Sequence, residues 1–429
     1  MKKKYRIILY TSIFLLCVVA SIILVVKKSN SVYEEESKPK VVKHKSMLSM
    51  NLEQTAGSGD YKTVTQSSWP TEGYKFNAEL SRCENGSTLS WDDTKKAVIV
   101  SGNLSDKCYV YFDIYQPTLA EYIKSQYTGT QGENNIYYHD SDLANGAGDN
   151  SYRYAGANPN NFVCFGSDTS PCPTDNLYRI IGVFGENYHG VTGKQLVKLI
   201  KYDYMTTDEL GTDGDYSQTY KEWGMDNTYK GTYGDGERIG VYYWNYKATG
   251  SATNTWSTSL LNKTNLNTNF INNIGTTWAN KIATVTWKVG GNTWANIGTK
   301  TSSVAYTNEI TNPVTTNTTD NATTYSAKIG LMYVSDYGFA ASPDAWTLTM
   351  SSYNNTTATN NNWMYMGLYE WTISRYADYS NYAFRVGSDG DVNVSGVSDF
   401  YGVRASFNLE SSVSYVSGSG SMSDPIVIN

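Results

Sequence analysis

Apolar and polar positions change their period along this chain. Residues Ile7 to Val26 form one uncharged, almost wholly apolar run. About 20 residues at a helical rise match a ~30 Å hydrocarbon core, so this run predicts a single membrane-spanning helix within residues 1–28. Residues 29–68 show no period. They mix Glu, Lys, Ser and Gly and predict a flexible stalk. From residue 69 to 116 the period becomes two: Tyr74 to Leu80 alternates, Ala97 to Val100 is a short apolar run, and Cys108 to Phe112 follows. Turn signals at Asn85-Gly86, Asp92-Asp93 and Gly102-Asn103 separate them, which predicts a small β domain.

Beyond Pro117 the pattern is mixed. Leu119, Tyr122, Ile123 and Tyr127 share one helical face behind a Pro start signal. Leu177 to Phe184 and Gln195 to Ile200 read as a β-hairpin. Residues 256–285 have helical spacing with breaks. Thr299 to Thr324 is Thr/Asn-rich and reads as a surface loop, and Lys328 to Val334 as a strand. Tyr382 to Val386, Asp391 to Val394 and Val403 to Leu409 read as closing strands, with Asp389-Gly390 turning the first pair. The fold class this implies is α+β: helix anchor, stalk, small β domain, and a loop-rich domain over 117–429.

Charge divides the chain. Residues 1–28 hold six basic groups and no acid, leaving 28 basic against 40 acidic groups in the rest. The basic flank before Ile7 keeps the N-terminus cytoplasmic and the body outside. A cleaved signal peptide is the alternative, although the apolar run continues past its small-residue site. An acidic body without a basic patch excludes nucleic acid as the expected partner. Mean hydropathy of -0.45 excludes a multi-pass membrane protein. Five Cys occur, one of them (Cys17) in the apolar run. The other four form two close pairs in an extracellular body, which implies disulfides. Three connectivities exist, and the sequential one, Cys83–Cys108 with Cys164–Cys172, is favoured. Neither spacing fits a zinc site.

The segments Ser151 to Gly166, Cys172 to Val183, Trp371-Thr-Ile-Ser-Arg375, Gly402-Val-Arg404 and Gly418 to Ile428 resemble a large uncharacterised family of surface proteins from gut Gram-positive bacteria. The closing module of that family is similar to the C-type-lectin-like fold shared with formylglycine-generating enzymes. The resemblance implies that Trp371, Arg375 and Arg404 are structural signature residues. Relatives close on Gly-Val-Arg-Pro-Ala, whereas this chain has Gly402-Val-Arg-Ala-Ser406. The enzymes need two late Cys ligands for copper, and no Cys follows Cys172, so the resemblance carries no catalysis here.

The remaining chemistry is thin. Three His (His44, His139, His189) leave little for a nucleophile relay, and no nucleophile elbow appears. The carboxylate pairs Asp208-Glu209, Asp213/Asp215 and Asp235/Glu237 carry Gly and read as turn chemistry, although paired carboxylates also cleave glycosides. Asp389 to Asn393 opens like a calcium loop, but Val394 and Phe400 stand where Gly and Glu are needed. No cofactor or metal is expected, with calcium a weak exception. Aromatic residues make up 14% of the chain, 37 of them Tyr. Aromatic faces suit sugar rings, and Trp223, Trp244, Trp363 and Tyr365, in polar contexts, are the candidate ligand contacts. The expectation is a non-enzymatic, adhesin-like binding module at the cell surface, taking a glycan, matrix or host-protein ligand. A structural surface-coat protein is the alternative, and a glycan or wall hydrolase stands behind both.

Overall fold

The alternating segments before Gln116 close into one small sheet. The computed structural model describes residues 48–65, 68–70, 73–220, 229–233, 239–313 and 322–429. The chain divides into two compact units, the first ending at Gln116 and the second running Pro117–Asn429. In the first, β1 (Leu48–Glu53), β2 (Tyr61–Val64), β3 (Tyr74–Cys83) and β6 (Cys108–Ile114) form a sheet in the order β2-β1-β6-β3. β4 (Thr88–Asp92) and β5 (Ala97–Ser101) form a separate hairpin. β1 runs parallel to β6, with Met50 opposite Val110 and Leu52 opposite Phe112. These four side chains are the buried centre, and Trp69, Phe76 and Trp91 surround the Phe112 ring. So small a core is marginal alone. The disulfide Cys83–Cys108 joins directly opposed residues of β3 and β6.

The stalk expected over residues 29–68 is corrected here, because its last part supplies β1 and β2. Leu48, Met50 and Leu52 alternate with polar residues, a period that the Glu/Ser/Lys-rich surroundings hid.

Two seven-stranded sheets carry the second unit. The first has the order β17-β22-β11-β10-β8-β7, with β9 also on β10. Its strands are β7 (Ile136–His139), β8 (Ser151–Tyr154), β9 (Phe162–Cys164), β10 (Leu177–Phe184), β11 (Leu196–Lys201), β17 (Ile329–Gly330) and β22 (Ser406–Asn408). The second has the order β12-β13-β21-β18-β19-β20, with β15 on β18. It comprises β12 (Tyr216–Tyr220), β13 (Ile239–Tyr243), β15 (Gly291–Asn292), β18 (Glu370–Tyr376), β19 (Tyr382–Val386), β20 (Val392–Gly396) and β21 (Phe400–Gly402). Two-stranded ribbons, β14 (Val285–Lys288) with β16 (Thr324–Ala327) and β23 (Tyr415–Ser417) with β24 (Val427–Ile428), complete it. β10, β11 and β18 are buried along their whole length, which explains the mainly apolar sequences of β10 and β11; β18 alternates, and its Glu370 and Arg375 are buried with hydrogen-bond partners. Trp244, Trp256, Trp287, Trp346 and Trp371 fill the interior.

Strand makes up 34% and helix 21%, so the fold is mostly β, and the α+β expectation is loosely compatible with it. Among the described residues no helix is long and apolar enough to cross a membrane, and the spanning helix expected at Ile7 to Val26 lies outside them. The described helices are short. Leu119–Ser125 starts at a Thr118/Glu121 capping box, and Val334–Ala340 is wholly buried. The strand expected over Lys328 to Val334 shrinks to β17, since Val334 already opens that helix. The Thr/Asn-rich loop expected at 299–324 contains a helix, Ser302–Tyr306, running into the wide turn Thr307–Thr311. Ser302, Ala305, Tyr306, Glu309 and Ile310 are buried there; only three of these five are apolar, and among many hydroxyls and amides they gave no readable stripe.

Candidate functional site

The second sheet ends on an aromatic surface. Tyr369, immediately before β18, is 42% exposed. Its ring stacks on that of Tyr401 in β21, with centroids 5.1 Å apart. Beneath it the Arg385 guanidinium of β19 lies 4.7 Å from the ring centroid, a cation–π contact that orders both groups. Arg385 pairs with the Asp391 carboxylate at 2.5 Å, and the Asn393 side-chain amide donates to the other carboxylate oxygen at 3.1 Å. The Tyr401 hydroxyl shares a 3.0 Å hydrogen bond with the Ser395 hydroxyl.

Strand register explains the gathering. Trp371 stands opposite Arg385, and Arg385 opposite Asn393, so one sheet face receives all three. Trp371 is buried, donates from its indole N–H to the Tyr242 carbonyl at 2.8 Å, and supports the Tyr401 ring at 4.6 Å. The β19–β20 turn, with Gly390 at φ 93°, brings Asp391 back under Arg385. Asp389 accepts from the Asp391 backbone N–H, so this stretch is a hairpin turn stitched by its own carboxylates. Phe400, alternate with Tyr401, instead meets Tyr243 on the other face, where Tyr243 also stacks on the exposed Tyr246.

The aromatic residues singled out in the sequence lie elsewhere. Trp244 is fully buried and donates to the Thr372 carbonyl at 2.9 Å. Trp363 is 3% exposed, donates to the Tyr154 carbonyl, and lies 4.7 Å from the Arg179 guanidinium. Tyr365 is 5% exposed, with its hydroxyl on the Ser388 carbonyl and Lys230 above its ring. Trp223 lies outside the described residues. Tyr369, Tyr401 and Arg385 were not singled out: Arg385 lies in the segment Tyr382 to Val386 read as a closing strand, and Tyr369 and Tyr401 stand beside the signature segments at Trp371 and Gly402. The available signal was the Asp389-Gly390 turn, which fixes Asp391 beside Arg385.

The signature residues act as ties. Arg404 meets Glu370 with two hydrogen bonds of 2.8 Å and donates a third to the Met364 carbonyl. Arg375 pairs with no carboxylate among the described residues, and its Nε donates to the Val289 carbonyl at 3.1 Å.

The titratable candidates are structural. His139 and His189 are buried, each accepting a backbone N–H at Nδ1. Asp215 accepts the N–H groups of Leu260 and Leu261 and caps the helical segment that follows. Burial pushes its pKa up, against those same hydrogen bonds. Glu209 closes a capping box on Thr206 and pairs with Lys201 at 2.9 Å, while Asp213 accepts from Asn269. Asp235 and Glu237 lie outside the described residues. Among the described residues no group of three or more His, Cys, Asp or Glu is placed to hold a metal ion. Both disulfides, Cys83–Cys108 and Cys164–Cys172, are present.

No family model matches this chain, and neither the curated proteins nor the solved structures contain a match to it.

Proposed function

We propose that this chain is a non-enzymatic, extracellular binding protein whose second unit recognises saccharides on the Tyr369/Tyr401 surface. The observation that carries this reading is an exposed aromatic ring held flat over a guanidinium, with a carboxylate and an amide at its rim. A pyranose presents an apolar C–H face to such a ring and hydroxyls to such a rim. Two disulfides support a location outside the cytoplasm. The resemblance to bacterial surface proteins with a C-type-lectin-like closing module belongs to the same proposal. The test is a glycan array probed with the whole ectodomain, with and without calcium. Selective binding that Tyr369→Ala weakens supports the reading; a blank array from folded protein overturns it.

A structural-coat role is the second reading. Val416, Met422 and Val427 are each at least 40% exposed around β23 and β24, an apolar patch that suits a second copy. Concentration-dependent sedimentation tests it.

A further inference from the structure

The opposite face of the second sheet carries another aromatic surface. Tyr246 is 45% exposed and Phe400 is 41% exposed. The Tyr243 and Tyr246 rings stack at 4.5 Å with 21° between their planes, and Phe400 closes on Tyr243 edge-on at 6.1 Å. Phe400 stands opposite Tyr243 in the sheet, and its neighbour Tyr401 stands opposite Tyr242. Successive side chains of a strand point to opposite faces. Phe400 thus serves this face, while Tyr401 carries the Tyr369 ring on the other.

Backbone ties hold this surface in place. The buried Asp215 accepts the Tyr246 N–H at 3.0 Å on one carboxylate oxygen, and the Leu260 and Leu261 N–H groups at 2.9 Å on the other. Its own carbonyl accepts the Tyr243 N–H at 2.8 Å, and the Asn245 N–H donates to the Val397 carbonyl at 3.1 Å. Both aromatic segments are fixed before a ligand arrives, so binding loses little ordering entropy. The size of the patch decides what can cover it. A fully covered aromatic side chain buries about 150–250 Å², so the exposed parts of Tyr246 and Phe400 offer on the order of 200 Å² together. A stable interface between copies takes about 800 Å² on each partner. The patch falls well short of that and suits a short saccharide, whose C–H faces stack on such rings. Lys247 and Asp399, both exposed and next in the chain to Tyr246 and Phe400, supply partners for its hydroxyls.

We propose that Tyr243, Tyr246 and Phe400 form a second saccharide-binding surface, so that one chain holds two glycans on opposite faces of one sheet and bridges them. This rests on the saccharide reading of the Tyr369 surface and extends it from one site to two. Because the two surfaces face away from each other, the bridged saccharides are separate chains rather than neighbouring units of one.

The test titrates the whole ectodomain, Tyr246→Ala, Tyr369→Ala and the double variant with the free form of the saccharide that scores highest on the glycan array. The parent should bind two equivalents per chain. Tyr246→Ala should weaken one of them about threefold to tenfold and leave the other at parental affinity, and the double variant should weaken both. Beads coated with the same saccharide should clump with the parent, and need a threefold to tenfold higher concentration of Tyr246→Ala. One equivalent per chain, or affinities unchanged by Tyr246→Ala, overturns the second surface; the Tyr369 reading then stands or falls separately, on whether Tyr369→Ala weakens binding. No clumping by a parent that binds two equivalents overturns the bridging. A blank array from folded parent overturns both readings together.

Discussion

The ammonium of Lys198 lies 2.7 Å from Oδ2 of Asp336, and both side chains are wholly removed from solvent. Asp336 also accepts the Tyr188 hydroxyl at 2.7 Å and the Tyr333 backbone N–H at 3.0 Å. Arg153 stands 3.9 Å away, itself paired with Asp149 at 2.8 Å. Lys198 sits on β11, Arg153 on β8 and Asp336 in the helix Val334–Ala340, so this cluster ties that helix to the first sheet. Two cations share Asp336, and that makes its loss asymmetric.

Asp336→Ala is therefore expected to destabilise the second unit by about 3–5 kcal/mol, since it strands a buried ammonium. Lys198→Met should cost clearly less. Arg153 and the Tyr188 hydroxyl still face the carboxylate, and the methionine stem replaces the lysine stem against Trp287 and Tyr333. Urea unfolding of the two variants decides it; equal losses would show that Arg153 does not compensate.

His139 predicts an acid-sensitive fold. Burial, reinforced by the Arg153 cation and opposed by Asp149, holds its pKa well below the ordinary 6.5. Below pH 6.5 the unfolded chain takes up a proton that the folded chain refuses. The stability it contributes is thus present above 6.5 and lost as pH falls, by up to about 1.4 kcal/mol per pH unit. His189, also lowered by burial, adds in the same direction. His139→Asn keeps an acceptor for the Ala147 N–H and cannot take the proton. Its stability should change less than that of the parent between pH 6.5 and about 5. Parallel pH curves for parent and variant would exclude His139 as the source.

How much of this was legible follows from how each residue is held. Alternation revealed β3, whose alternate positions are partly covered, and β6, whose Cys108, Val110 and Phe112 are buried, while short apolar runs revealed β5 and the wholly buried β10–β11 pair. The Cys spacing revealed the staples. Composition misled at residues 48–64, where polar neighbours masked Leu48, Met50 and Leu52, and at 302–311, where Glu309 is buried yet accepts the Val334 and Ser335 N–H groups. The aromatic site failed for a different reason. Exposure of Tyr369 against burial of Trp363 depends on long-range pairing of β18 with β19 and β21, which no local window contains. Polar context in sequence drew attention to tryptophans that the fold turns inward to donate to carbonyls.

The disulfides should matter unequally. Cys83–Cys108 closes a separation of 25 residues and Cys164–Cys172 one of 8. In the chain-entropy picture these are worth about 3–4 and about 2–3 kcal/mol. Among the described residues the first unit's apolar cluster has four buried side chains at its centre, so reduction should melt it while the second unit persists. Calorimetry with and without a thiol reductant should show loss of the smaller transition. Retention of both would mean the first sheet is held without its staple.

The recognition surface gives the sharpest separation of binding from stability. Tyr369 is 42% exposed, and its ring rests on Tyr401 and Arg385 without filling the core. Tyr369→Ala removes one stacking face, worth about 0.5–1.5 kcal/mol, so saccharide affinity should fall about threefold to tenfold. Unfolding free energy should move by less than about 0.5 kcal/mol, as for other exposed positions. Tyr379, 60% exposed and packed instead against Tyr376 and Tyr382, is the matched control. Tyr379→Ala should leave affinity unchanged. Isothermal titration with a saccharide selected from the array measures both, and equal losses in the two variants would place the ligand away from the Tyr369 ring.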